Sequence, residues 1–276
     1  MTTWFITGIS RGLGKALAMA ALAEGDTVVG TVRTGPFSLE HERGVLHVLN
    51  VDLADDGAAE ASIAEAFARV GHIDVIVNNA GYGLLGALES ATDAEVERLF
   101  AIDVFAPFRI IRAALPHLRR QASGKIINIT SIAGRAPKTG SALYSAAKYA
   151  LEGLSAALAL EVAPLGISVT AVAPGAFRTD FLSPHSIRKS ETADEAYAET
   201  IGRSSVAFDA AAGRQVGDPD RAARAIISLV RSDNPPVHLL LGSDALQRAR
   251  SKLDQVVDEI DAWEATTLGT DFRQGL

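Results

Sequence analysis

The chain predicts a single α/β domain: a seven-stranded parallel sheet, doubly wound, with helices on both faces. Three observations lead there. Short Val- and Ile-rich runs alternate with longer stretches of helical periodicity, the pattern of successive strand–helix–strand units. Those short runs show little polar alternation, as strands buried on both faces do. The 276 residues contain no internal repeat and no Gly/Ser linker, so one extended sheet fits better than two separate domains.

Trp4-Phe5-Ile6 forms the first strand, and the stretch from Arg11 to Glu24 reads as a helix that Gly25 stops. Val28–Val32 is the second strand and Val45–Val51 the third. Ala58–Val70 is a helix, since Ile63, Phe67 and Val70 are spaced by four and three residues. Ile73–Asn78, Ile126–Ile129, Ile167–Val172 and Val237–Leu241 supply strands four to seven, with long helical stretches at 92–120 and 141–163. Between Gly175 and Asp218 the chain turns polar. A polar insertion after a strand predicts a pocket wall, here a substrate lid over residues 176–217. Residues 245–265 read as a charged helical extension, a solvated or packing helix by its charges alone.

Composition excludes several classes. With 48% hydrophobic and 21% charged residues, a disordered or fibrous chain is ruled out. A chain of this size buries roughly 75% of its unfolded surface, so its core needs no covalent staples. The absence of cysteine removes disulfides, thiolate metal sites and cysteine nucleophiles. A net charge of −7 argues against general nucleic-acid binding. No apolar run reaches the ~18 residues of a membrane span. The start lacks the basic-then-apolar pattern of a secretory signal, which leaves a cytoplasmic protein as the expectation. Histidines at 41, 47, 72, 117, 185 and 238 have no metal-ligand spacing, so a metal hydrolase is not supported and no metal is expected.

The chemistry begins at Thr7-Gly8-Ile9-Ser10-Arg11-Gly12-Leu13-Gly14, which runs from the first strand into the first helix. Glycine permits the positive φ of a sharp turn and lets backbone approach a pyrophosphate closely. The helix behind it offers unpaired N–H groups and the positive end of its dipole. Strand, glycine turn and helix in that order point to a dinucleotide site rather than a tight turn alone.

The T-G-x-x-x-G-x-G spacing resembles the short-chain dehydrogenase/reductase family, and further motifs follow in that family's order. Asn78-Asn79-Ala80-Gly81 closes the fourth strand. Tyr144 follows Ser131 by 13 residues, and Lys148 follows Tyr144 by four. Pro174-Gly175 precedes Thr179. Together they span about residues 3 to 180. The resemblance implies a Rossmann-like fold that binds NAD(P). Gly8, Ser10, Arg11, Gly12, Leu13 and Gly14 would face the cofactor's phosphates. Asp52, Leu53, Asn78, Ala80 and Gly81 would serve its adenosine side, and Pro174, Gly175 and Thr179 its nicotinamide end. It also implies a homodimer or homotetramer paired through the helices at 92–120 and 141–163.

Tyr144 and Lys148 lie one turn apart on one helix face. A phenol with a pKa of about 10 is a poor base at neutral pH, and lowering it by about three units takes roughly 4 kcal/mol. A nearby ammonium and an oxidised nicotinamide both favour the phenolate. The resemblance therefore makes Tyr144 the general acid/base, with Ser131 holding the substrate oxygen. Lys148 would tune Tyr144 and bind the nicotinamide ribose. One position departs from the family. Where the pattern has an asparagine that helps hold a water linking the lysine to solvent, this chain has Asp103, in Ile102-Asp103-Val104-Phe105. Aspartate loses the amide donor. Its charge would raise the lysine's pKa and oppose ionisation of Tyr144.

The end of the second strand carries Val32 and Arg33, with no acid for a ribose diol. Arg33 and Arg11 instead suit a 2′-phosphate, so NADP is expected over NAD. The reading is an NADP-dependent enzyme that moves a hydride between the nicotinamide and a small carbonyl or secondary alcohol. A non-catalytic NAD(P)-binding sensor on the same fold is the alternative. Asp103 favours it, and the intact Ser131, Tyr144 and Lys148 oppose it.

Overall fold

In the computed structural model, which describes residues 1–183, 186–190 and 195–272, seven parallel strands form the central sheet. They are β1 (Thr3–Ile6), β2 (Thr27–Val32), β3 (Val45–Asn50), β4 (Val75–Asn78), β6 (Gly124–Ile129), β7 (Ile167–Pro174) and β9 (His238–Leu241). Their order across the sheet is β3-β2-β1-β4-β6-β7-β9. The chain winds outward from β1 to β3, then returns to β4 on the other side of β1. That reversal opens a crevice at the C-terminal ends of β1 and β4, where α/β sheets bind ligands.

Successive side chains of a strand point to opposite faces, and each face of this sheet meets its own helices. Trp4, Ile6, Val28, Val77 and Val172 pack on one side with Leu17 and Leu22 of α1 (Gly12–Ala23) and Ile226 and Val230 of α7 (Pro219–Arg231). Phe5, Ile76, Ile126 and Val169 pack on the other side. They meet Ile63 and Phe67 of α2 (Ala58–Val70), Ile110 and Leu118 of α4 (Ala106–Gln121), and Leu158 of α5 (Ala142–Val162). The doubly wound, seven-stranded Rossmann-like architecture expected from the sequence is what forms.

Several details differ from the sequence expectation. The stretch 92–120 is not one regular helix. It comprises α3 (Asp93–Phe100), a π-helical turn at Ala101–Phe105, and α4. Thr92 and Glu95 close a reciprocal capping box at the start of α3, which satisfies two of the helix's unpaired N–H groups. The π turn carries Asp103 into the interior. Helix α7 was not anticipated. Asp218 caps it by accepting from the N–H groups of Asp220 and Arg221. Two short strands, β5 (Gly83–Leu85) and β8 (Ile187–Lys189), pair parallel as a separate small sheet. The polar segment after β7 contains β8 and α6 (Arg203–Ala211). Pro184, His185 and residues 191–194 of the expected lid lie outside the described residues. The terminal helix, α8 (Ser243–Leu268), is longer than expected. No described helix is long and apolar enough to cross a membrane.

A buried polar chain ties the centre of the sheet to α5. Asn78 Nδ2 donates to Asn128 Oδ1 at 2.8 Å, and Asn128 Nδ2 donates to Ser155 Oγ at 2.8 Å. Truncating Asn128 would strand a buried donor on Asn78, and leaving a buried polar group unpaired costs about 1–3 kcal/mol. Asn128→Ala is expected to destabilise the fold by about 2–4 kcal/mol, read as a lower urea midpoint with an unchanged slope.

Candidate active site

The glycine turn is stitched to the end of β4. Gly8 and Gly12 sit at φ +73° and +58°, in the left-handed region that favours glycine. Thr7 Oγ1 accepts from the backbone N–H groups of Asn79 and Ala80, both at 2.9 Å. Asn79 Nδ2 donates to the carbonyls of Thr7 and Gly8 at 2.8 and 3.1 Å. The fit leaves no room at the next glycine: a Cβ on Gly14 would lie 2.3 Å from both Asn79 Nδ2 and Gly8 O. Arg11, the N-cap residue of α1, makes no side-chain cap bond to the first turn.

A cavity of roughly 570 Å³ opens beside this turn and runs to the C-terminal ends of β6 and β7. Gly8, Ser10, Arg11, Gly12, Leu13 and Gly14 line one end. Arg33, Asp52, Leu53, Ala80 and Gly81 continue the wall, and Pro174, Gly175 and Thr179 line it further on. Ser131, Tyr144 and Lys148 open into the same cavity. Two expected residues do not. Asn78 is buried beneath it on Asn128, and its neighbour Asn79 faces the cavity instead. Asp103 is wholly buried behind Lys148.

Ser131 begins a short 3-10 turn after β6, its Oγ accepting from Ala133 N–H at 3.1 Å. Tyr144 and Lys148 stand one turn apart on α5, both buried. Lys148 Nζ is 3.0 Å from Asp103 Oδ2, 3.3 Å from the carbonyl of Ile129, and 5.7 Å from the centre of the Tyr144 ring. Asp103 Oδ1 accepts from Tyr82 N–H at 3.1 Å. A Cβ on Gly81 would come within 2.9 Å of Asp103 Oδ2, so the carboxylate is pressed into place by backbone.

Burial sets the titration of this cluster. Asp103 is raised above the usual carboxylate range by burial, which the Lys148 ammonium and the Tyr82 N–H offset only in part. Burial also raises Tyr144 and the Asp103 charge adds to it, while Lys148 and a hydrogen bond with Ser131 pull it down. Burial alone would lower Lys148, but Asp103, Tyr144 and Glu152 outweigh it and hold the ammonium above its ordinary value.

A family model described as short chain dehydrogenase matches residues 2–190. The chain belongs to the short-chain dehydrogenase/reductase family. It is therefore an oxidoreductase acting on CH–OH or C=O groups. Among its relatives, oxidoreductase BOA17 of Botryotinia fuckeliana is 34% identical over 274 residues, covering 97% of this chain and 98% of that protein. A short-chain dehydrogenase from Streptomyces avermitilis superposes with a TM-score of 0.88 at 38% identity, covering 98% of this chain and all of that one. ElxO, solved with NADP bound, superposes with a TM-score of 0.72 at 26% identity over 89% of this chain and 99% of its own.

The cavity wall also draws on the last third of the chain, where the sequence shows no motif. Asp244, in the first turn of α8, accepts from Ala176 N–H at 2.9 Å. A Cβ on Gly175 would lie 2.1 Å from its Oδ1. Gln215 is buried on the cavity wall, and its backbone carbonyl accepts from Arg178. Lys138 and Arg248 line the same cavity. None of these carries a local signal; the packing of α8 brings Asp244 and Arg248 there, the α6–α7 connection brings Gln215, and the loop before α5 brings Lys138. The tight fit at the glycine turn is testable. Gly14→Ala is expected to destabilise the enzyme by about 1–3 kcal/mol through overpacking, measured as a lower Tm without cofactor.

Proposed function

We propose that this enzyme is an NADP-dependent reductase of small carbonyl compounds, running in reverse as a secondary-alcohol dehydrogenase, with Tyr144 as the proton donor and acceptor. The observation that carries the reading is the opening of Tyr144, Ser131 and Lys148 into the cavity that begins at the glycine turn. The bound cofactor supplies or accepts the hydride at its nicotinamide ring. Its fit is supported by the N-terminus of α1, which Arg11 does not cap through its side chain, and by glycines 8, 12 and 14, where backbone rather than side chain faces the cavity. Ser10, Arg11 and Leu13 complete that end. Asp52, Leu53, Ala80 and Gly81 would hold the adenosine side, with Asn78 supporting it from below. Pro174, Gly175 and Thr179 would border the nicotinamide, with Asp244 holding the Gly175–Ala176 backbone in position.

Arg33 follows β2 directly, and no acid stands there for a ribose diol. Arg33 and Arg11 would bind a 2′-phosphate. A hydrogen bond to a charged group contributes about 1.5–3 kcal/mol, giving a roughly ten- to hundredfold preference for NADPH over NADH. The NADP-bound ElxO structure supports the same choice.

The substrate oxygen would sit between Ser131 and Tyr144, under an apolar wall that includes Phe177, Phe181, Leu182 and Phe208. These residues support a lid role for the segment after β7. With its pKa raised, Tyr144 is protonated at neutral pH, which favours giving a proton to a developing alkoxide and hence the reductive direction. Lys148 would bind the ribose and hold a positive charge beside the phenol. Asp103 keeps that lysine charged while offsetting its pull on Tyr144.

The Asp103–Lys148 ion pair favours a second reading, a cofactor-binding sensor without turnover. Cofactor binding with no turnover on a broad ketone and aldehyde panel, in both the parent and Asp103→Asn, would support it.

Tyr144→Phe is expected to lower kcat with NADPH by about 10²–10⁴-fold while NADPH still binds, as followed by its fluorescence. Near-parent turnover would overturn the assignment. Alcohol oxidation needs the phenolate, so its rate rises as pH passes the Tyr144 pKa. Removing the Asp103 charge takes away one raising influence. Asp103→Asn should therefore move the rising limb of the oxidation profile to lower pH. An unchanged pH–rate profile would remove Asp103 from the proton chemistry.

A further inference from the structure

Helix α8 changes character along its length. Its first two turns are fastened to the body: Ala245 and Ala249 are buried, Asp244 holds Ala176 N–H, and Arg248 donates to the carbonyl of Ala136. Past Lys252 it leaves the body, and every residue from Val257 to Leu268 is exposed. A helix standing in solvent needs no apolar stripe, yet this one has one. Leu253, Val257, Ile260 and Trp263 are 64%, 53%, 61% and 66% exposed. Leu246, Leu253 and Ile260 recur every seven residues, with Ala249, Val256 and Trp263 three residues after each. That is the heptad seam of helix-on-helix packing. Asp254, Asp258 and Asp261 fall on the other side.

Beyond Asp244 in its first turn, the charges on α8 are segregated by sign. Arg248, Arg250 and Lys252 are its only bases, and from Leu253 to Leu268 the charged residues are Asp254, Asp258, Glu259, Asp261 and Glu264. Two copies laid parallel would set acid against acid and force the two bodies, both at the helix roots, into the same space. Laid antiparallel about Val257, Arg250 of one copy comes level with Glu264 of the other, and the bodies sit at opposite ends. Five acids against one base between residues 252 and 268 also oppose docking on an anionic membrane.

We propose that α8 is a self-association helix, which pairs antiparallel with α8 of a second copy of this chain through the Leu253–Trp263 stripe. The helix is mounted rigidly by its root, so the stripe is presented preformed and little order is lost on pairing. This surface is separate from α4 and α5, and it does not depend on the assigned chemistry.

The test is sedimentation equilibrium of the full chain over a concentration series, with far-UV circular dichroism to check helix content. Val257→Glu with Ile260→Glu is expected to halve the mass or to raise the dissociation constant at least about tenfold, or roughly 1.4 kcal/mol. Arg250→Glu with Lys252→Glu should weaken association, as should Asp261→Lys with Glu264→Lys. All four together should restore it. These exposed charge changes keep the test valid if the stripe variant loses helix. Equal masses for the parent and both charge-changed variants at every concentration would overturn the proposal, as would failure of the fourfold variant to restore association. Loss of binding to phosphatidylcholine vesicles in the stripe variant, with mass unchanged, would make the stripe a lipid contact instead.

Discussion

An ammonium group buried in the wall of the cavity organises this site. Lys148 is almost wholly buried, and moving a charge out of water costs several kcal/mol unless partners replace its hydration. Those partners come from three places: Asp103 on the π turn, the Ile129 carbonyl at the end of β6, and the Tyr144 ring on α5 itself. Asp103 is in turn held by Tyr82 N–H and pressed against Gly81. The lysine thus ties the segment after β4, the π turn, β6 and α5 to one point. Any displacement of these elements would expose or orphan a charge, so the demands of burial and the placement of Tyr144 are met by the same contacts.

The other end of the cavity is fastened by hydrogen bonds between neutral groups. Asn79 donates from both its backbone and its side chain to Thr7, and from its side chain to Gly8, across the β1–β4 boundary, where the winding of the sheet reverses. The reversal leaves a crevice, and this polar crosslink keeps the glycine turn open beside it. Side-chain-free backbone at Gly8, Gly12 and Gly14 then makes the wall itself out of peptide groups. The two ends are held by different physics, hydrogen bonds between side chain and backbone at one and a buried ion pair at the other.

Much of this was legible from short-range pattern. The strands were visible as short continuous Val- and Ile-rich runs, because burial on both faces removes polar alternation, and most helices by their 3.6-residue period. Helix α7 has that pattern too, in Ala222, Ile226 and Val230, but Arg221, Arg224 and Arg231 mask it in composition. The π turn adds a residue within an otherwise helical stretch and leaves no compositional mark. Strands β5 and β8 are three residues each, too short to alternate visibly. Asn78 and Asn79 are neighbours with opposite outlooks, and only strand register decides which one turns inward.

By itself the sequence determined the parallel α/β class, the glycine turn and the one-turn spacing of Tyr144 and Lys148, since each depends on contacts within a few residues along the chain. The family resemblance put Asp103 near Lys148 through a water, and tertiary structure decided that its carboxylate, 45 residues earlier, pairs with the ammonium directly. Tertiary structure alone brought Asp244 and Gln215 from the last third of the chain to the cavity wall. Such contacts depend on how helices close over a sheet, and that closure is a property of the whole fold that no short stretch of the chain contains.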